Sequence, residues 1–159
     1  MKIWIIYDSK YGNNKQIADV LGTQFSEDGN EVHVHHAKTM KPINAIDADL
    51  LIFGGPLRWG MISSTMKGWM ANFAKILNSN KKMLKKVAGW GTHLQDKPDM
   101  PAKFTWDASA LKWKALMDGV DAEKRMPEIQ GIIVNGMSGP LEENWQGAIA
   151  DFAGRIKTL

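Results

Sequence analysis

The chain contains no cysteine. Disulfides, thiolate nucleophiles and thiolate-held metal clusters are therefore excluded. No apolar run approaches the roughly 18 residues of a membrane-spanning helix. The loop after the first apolar run ends in no Gly-Lys-Ser/Thr and holds a single glycine, so it is neither a triphosphate loop nor a G-x-G-x-x-G dinucleotide fingerprint. Ser63, Ser64 and Ser138 lack a nucleophile elbow, which leaves hydrolase chemistry without support. Neither sign of charge dominates: 20 Lys and Arg against 17 Asp and Glu give a formal charge of +3. Basicity of that size does not imply nucleic acid. The local cluster Lys81-Lys82-Met83-Leu84-Lys85-Lys86 reads as a solvated turn, or less plainly as a docking patch for an acidic partner. No signal-peptide pattern, repeat, low-complexity tract or linker is visible, so one domain over 1–159 and a cytoplasmic location are expected.

What the chain does have is alternation. Its 159 residues, 44% hydrophobic and 23% charged, suffice for one sizeable core. Apolar runs at Lys2–Tyr7, Glu31–His36, Leu50–Phe53, Lys86–Gly91 and Ile129–Asn135 read as strands. Between and after them, 13–25, 64–77, 108–117 and 142–156 carry apolar residues at helical spacing, such as Ile17, Ala18, Leu21 and Phe25. Gly54-Gly55-Pro56 is expected to stop the third strand, and Asp28-Gly29-Asn30 to end the first helix. Strands alternating with helices predict an α/β fold, a doubly wound five-stranded parallel sheet with helices on both faces. Ligands of such sheets sit beyond the carboxyl ends of the strands.

Three unusual loops fall at that edge. The first, Ser9-Lys10-Tyr11-Gly12-Asn13-Asn14, joins a strand to a helix, where convergent backbone N–H groups and the helix dipole favour an anion. Gly12 permits a backbone conformation or close approach that a Cβ would block, and Ser9 and Asn14 offer side-chain hydrogen bonds. The second, Gly54–Ser63 with Pro56-Leu57-Arg58-Trp59-Gly60, and the third, Gly89–Asp99 with Trp90-Gly91-Thr92-His93, each bring a tryptophan to the same edge. A phosphate site beside two aromatic-bearing loops describes a pocket for a flat ring with a phosphate tail, the shape of flavin mononucleotide (FMN).

At these residues the sequence resembles the flavodoxin family. The resemblance rests on Ser9-Lys10-Tyr11-Gly12-Asn13-Asn14, on Leu51-Ile52-Phe53-Gly54-Gly55-Pro56-Leu57-Arg58-Trp59-Gly60 leading into Ser64-Thr65-Met66-Lys67, and on the element order of the whole chain. Asn14 stands where the family pattern Ser/Thr-x-Thr/Tyr-Gly-Asn-Thr closes on Thr. The resemblance implies strand order 2-1-3-4-5 and a non-covalently held FMN. The phosphate would rest on residues 9–14, and the ring would lie between the loops around Trp59 and Trp90. Aromatic stacking there contributes about 0.5–1.5 kcal/mol per pair beyond area burial. The Trp59-Gly60 loop would also supply a backbone carbonyl to the ring N–H formed on reduction. Arg58 reads either as a surface cation or as a charge favouring the reduced, anionic ring.

The remaining aromatic and titratable residues read more plainly. Trp4, Trp69, Trp113 and Trp145 lie within elements and are expected to pack. Trp106 lies in the long polar stretch 92–107, where a lid is one reading. His33, His35 and His36 are expected to be surface histidines of a strand rather than metal ligands, since no carboxylate pattern completes a site. The resemblance implies a monomeric electron carrier that docks transiently with redox proteins. Two alternatives stay open. One is an FMN-dependent oxidoreductase acting on a quinone or porphyrin-precursor acceptor. The stretch 92–107 and the similarity of Arg58-Trp59-Gly60 to the loop of flavodoxin-like protoporphyrinogen oxidases favour it. The other is a flavin-free scaffold. Flavodoxins are usually acidic, and this chain is not.

Overall fold

A computed structural model describes residues Met1–Leu159. The elements in chain order are β1 (Lys2–Tyr7), α1 (Asn13–Glu27), β2 (Glu31–His36), β3 (Leu50–Arg58), β4 (Met61–Ile62), α2 (Ser64–Ser79), β5 (Leu84–Leu94), α3 (Trp106–Asp118), β6 (Ala122–Arg125), β7 (Gln130–Val134) and α4 (Trp145–Lys157). Short 3-10 turns occupy Pro42–Ala45 and Ala102–Phe104.

The parallel sheet runs β2-β1-β3-β5, and β5 is flanked by β6 along its first half and β7 along its second. This is the expected α/β architecture with a seven-strand count. The extra strands have separate causes. β4 is a two-residue antiparallel return closing a hairpin with the end of β3. β6 and β7 together fill the fifth position. Met126 N–H still donates to Val87 O at 3.0 Å, but Pro127 has no N–H to continue the ladder, so the pairing lapses before it resumes at Gln130. Ala122-Glu123-Lys124-Arg125 has no apolar alternation, which hid it from a periodicity reading.

α1 and α4 pack together on one face of the sheet, and α2 and α3 on the other. β1 is apolar on both sides, with Ile3, Ile5 and Ile6 wholly buried, as a central strand covered twice must be. The helices contribute Ile17, Leu21 and Phe25, Met66, Met70 and Phe73, Trp113 and Met117, and Ile149, Phe152 and Ile156 to the same core. Trp4 and Trp69 are buried as expected, and Trp145 is half-buried against the core.

Gly54-Gly55-Pro56 does not stop β3. Gly54, Gly55 and Pro56 pair with Trp90, Gly91 and Thr92 of β5, and the strand continues to Arg58. The proline is tolerated because β1 has ended at Tyr7, so nothing on that side asks for the missing N–H. The glycines are there for space. A Cβ on Gly54 would sit 2.1 Å from Cδ2 and Cε2 of Trp90, whose indole lies across the strand. The lysine cluster 81–86 lies at the opposite, amino end of the sheet. There Lys85 pairs with Asp49 at 2.9 Å, and Lys86 Nζ donates to the last carbonyls of α4, Ile156 O at 3.2 Å and Lys157 O at 3.3 Å.

Because backbone and a rigid indole meet at Gly54, no side chain fits there without displacing Trp90. Gly54→Val is expected to destabilise the fold by about 3 kcal/mol or more in urea unfolding. A loss below about 1 kcal/mol would show that the indole does not close on the strand.

Candidate functional site

At the carboxyl end of the sheet the three loops enclose one cleft of about 480 Å³, within the range of small-molecule sites. Its floor begins at the β1–α1 loop. Gly12 adopts φ +91°, a left-handed conformation closed to branched residues, and the space where its Cβ would project is empty. That conformation turns the chain into α1 without a side-chain cap. The backbone N–H groups of Lys10, Tyr11, Asn13, Asn14 and Lys15 donate to no protein acceptor. The first turn of α1 holds no acidic residue to offset the dipole. Unmet donors at an uncompensated helix start form a seat for an anion.

Four side-chain groups fix this loop. Ser9 Oγ accepts from Gly12 N–H at 3.1 Å. Ser63, which N-caps α2, donates its hydroxyl to Asp8 Oδ2. His36, at the end of β2, places Nε2 3.3 Å from Ser9 N and 3.4 Å from Asp8 Oδ1. Asn13 packs against Gly139, where a Cβ would come within 2.7 Å of its Oδ1. His36 is thus half-buried and holds the loop in place, while His33 and His35 stack against Trp4 with ring centroids 4.5 and 5.5 Å away. Burial, reinforced by His33, lowers the pKa of His35.

Asn14 has a different part from the one expected. Its side chain is buried and faces inward: Oδ1 accepts from Trp90 Nε1 at 2.9 Å, and Nδ2 donates to Thr92 Oγ1 at 3.0 Å. Asn14 still lines the cleft, with its main-chain N–H and the second Nδ2 hydrogen uncommitted. Trp90 likewise does not face the cleft. Its indole is fully buried beneath Gly54, filling the space that the glycine leaves on the β5 face it shares with Thr92. Gly91 lies under Trp106, whose ring would be 2.9 Å from an added Cβ. Trp106 is therefore no lid: it packs on Gly91 and Gly131 and stacks on His93 at 4.4 Å and 12°.

The other expected residues do meet. Ser9, Lys10, Tyr11 and Asn13 form one end of the cleft; Pro56, Leu57, Arg58, Trp59 and Gly60 form its lip; Thr92 and His93 lie below. Burial holds the His93 imidazole pKa below the usual histidine value, against opposing effects of the Leu94 carbonyl, Asp96 and Glu142. The outer wall comes from residues that periodicity did not single out: Leu94 to Asp96, Met100, Pro101 and Phe104, with Val134 and Met137 opposite. The stretch 92–107 had announced itself by composition alone. Met137 lies in the Gly/Ser/Pro-rich connection before α4, where no hydrophobic pattern points to a site.

The lip is a two-residue turn between Arg58 and Met61, with φ +52° at Trp59 and +71° at Gly60. Positive φ at both central positions matches a hairpin with the twist of its strands, but a bulky first residue is costly. Trp59 nevertheless stands there, 77% exposed. Two contacts hold the turn. Lys112 Nζ, from α3, donates to Gly60 O at 2.6 Å. Gly60 also abuts Phe104 and the Lys103 carbonyl so closely that a Cβ would come within 2.8 Å of each. The strain is thus held at an exposed aromatic on the rim of the cleft.

Trp59→Asn converts the turn to Asn-Gly and removes that strain. It is expected to raise folding stability by about 1 kcal/mol in urea unfolding. A loss of stability instead would mean that Trp59 contributes packing that its exposure conceals.

The family model described as a flavodoxin domain matches residues 4–120. No curated protein matches the chain in sequence. Among solved structures, oxidised flavodoxin 1 of Bacillus cereus is 18% identical, covers 99% of this chain and 98% of its own, and superposes with a TM-score of 0.73. Flavodoxin 2 of the same organism is 19% identical, with 99% of each chain covered and a TM-score of 0.72. Rubredoxin oxygen:oxidoreductase of Desulfovibrio gigas is 18% identical, and 99% of this chain matches 36% of that one at a TM-score of 0.66. These likenesses carry the fold, and the family model, over most of the chain, carries the lineage: the protein belongs to the flavodoxin family.

Proposed function

We propose that the protein binds FMN in this cleft and serves as an electron-transfer flavoprotein. The observation that carries the reading is the set of unmet backbone N–H donors at the start of α1, opening into a cleft with an apolar wall and an exposed tryptophan. The donors suit a phosphate, and the wall suits a flat ring. Lys10 and Arg58 add positive charge at the same end, both within cation–π distance of the Tyr11 ring, at 5.4 and 5.7 Å.

In this reading main-chain N–H groups of residues 10–15 hold the phosphate. Trp59 and the wall from Leu94 to Phe104 enclose the ring and exclude water. Trp90 and Asn14 act from beneath, by fixing the loop. FMN supplies the capacity to take up and release electrons, and no side chain need act as acid or base. A partner protein would deliver or receive the electron at the open side of the cleft. A second reading, reduction of a small quinone-like acceptor, draws on the wall segment 94–104, which gives the cleft an apolar side away from the phosphate seat.

Flavin fluorescence titration tests the binding. FMN is expected to be quenched at stoichiometric protein, and riboflavin, lacking the phosphate, to bind at least tenfold more weakly, about 1.4 kcal/mol. Gly12→Val should weaken FMN similarly, since φ +91° is denied to valine. Equal affinity for FMN and riboflavin would remove the phosphate from residues 9–14. Catalytic turnover with a quinone would favour the second reading.

A further inference from the structure

The rim of the cleft has two properties that cofactor binding leaves unused. The first is exposed apolar surface. Trp59 is 77% exposed, Leu111 68%, Met61 65% and Met137 63%. Trp59 and Met137 line the cleft. Met61 follows Gly60 in the hairpin, and Leu111 precedes Lys112, whose Nζ holds the Gly60 carbonyl, so α3 and the lip lie side by side. Clustered exposed apolar side chains on an otherwise polar surface mark contact sites.

The second property is unpaired positive charge. Lys10, Arg58 and Lys97 line the cleft, and Lys103 and Lys112 flank the lip through their contacts with Gly60. None of these five forms an ion pair. At the opposite end of the sheet several cations are paired: Lys2 meets Asp47 at 2.6 Å, Lys85 meets Asp49 at 2.9 Å and Lys157 meets Asp28 at 2.6 Å, while Lys81 and Lys82 there form no ion pair. Carboxylates near the rim have internal duties. Asp96 accepts from Trp106 N–H at 3.0 Å at the start of α3, Glu142 accepts from Ile133 N–H at 3.3 Å, and Asp8 is engaged by Ser63. Asp99 in the cleft wall and Asp107, exposed one turn before Leu111 on α3, have no such partner.

From this arrangement we infer that the rim docks an acidic redox protein. Trp59, Met61 and Leu111 form the desolvated centre of the contact, and Arg58, Lys97, Lys103 and Lys112 face the partner's carboxylates. Charge complementarity selects the partner: a like-charged second copy of this chain is repelled, and a basic protein is rejected. The lysine cluster at 81–86 takes no part, because it lies at the other end of the sheet. The docking rests on the electron-transfer reading for the partner's redox character, but it uses side chains outside the phosphate seat.

Biolayer interferometry on the immobilised full chain, with and without FMN, tests it. The probes are an acidic [2Fe–2S] ferredoxin, basic cytochrome c and vesicles of phosphatidylglycerol. Ferredoxin is expected to bind both forms at low salt and to weaken about tenfold or more as salt is raised to physiological strength. Lys103→Glu and Leu111→Ser, both on exposed positions, should each weaken it about tenfold, and Leu111→Ser, outside the cleft, should leave FMN affinity and melting temperature at wild-type values. Absence of ferredoxin binding, preference for cytochrome c, or indifference to both substitutions would overturn the inference. Tighter binding to the vesicles than to ferredoxin would assign the rim to an anionic lipid surface instead. Ferredoxin binding by a protein that takes up no FMN would overturn the cofactor reading alone.

Discussion

The indole of Trp90 lying across Gly54 is the contact on which the rest of the site depends. It is wholly buried, and burying a tryptophan of about 200 Å² is worth about 5 kcal/mol. Its one polar atom is satisfied by Asn14 Oδ1, so the burial leaves no orphan donor. Through that bond β5 holds the first turn of α1, and through Thr92 the same asparagine holds the next step of β5. The ladder fixes the spacing of β3 and β5; the indole fills the space that Gly54 leaves over it, and a two-bond polar chain ties that packing to the loop whose N–H groups face the cleft.

This also explains the division of labour among the aromatic residues. Trp90, Trp106 and Trp113 fill the layer beneath the cleft, against Gly54, Gly91 and Gly131. Those glycines make room for rings that are part of the scaffold. Trp59 is the tryptophan that reaches solvent, on a turn with unfavourable backbone geometry that Lys112 and Phe104 hold closed. The scaffold aromatics make the site rigid, and the exposed one is the aromatic that the proposed ring and partner would meet. Stability and function therefore pull in opposite directions at one residue, as expected where a site is built on a strained turn.

Much of this was legible in the chain. β1, β2 and the helix faces were plain from periodicity, because each turns apolar residues toward the core, though those of β2, Val32 and Val34, are only half-buried. The strand-to-helix junction that leaves N–H donors unmet was plain too, since its glycine and its place between strand and helix are local features. Legibility failed where a residue's role depends on what lies across from it. Gly54-Gly55-Pro56 reads as a strand stop until β5 is seen to pair with it. Trp90 reads as a loop aromatic until the space that Gly54 leaves is seen to take its indole. Asn14 reads as a ligand-facing amide until its two buried partners appear, 76 and 78 residues away. β6, polar after Ala122, is a strand only because Leu84 to Val87 offers it an edge.

The account stands or falls on how the cleft receives its guest. A crystal structure of the protein grown with FMN is the direct test. The phosphate should lie against the main-chain N–H groups of residues 10–15, with the ring between Trp59 and the segment 94–104, and with Trp90 still seated on Gly54 and bonded to Asn14. A flavin found elsewhere, or one that seats its ring by displacing Trp90 from Gly54, would contradict it.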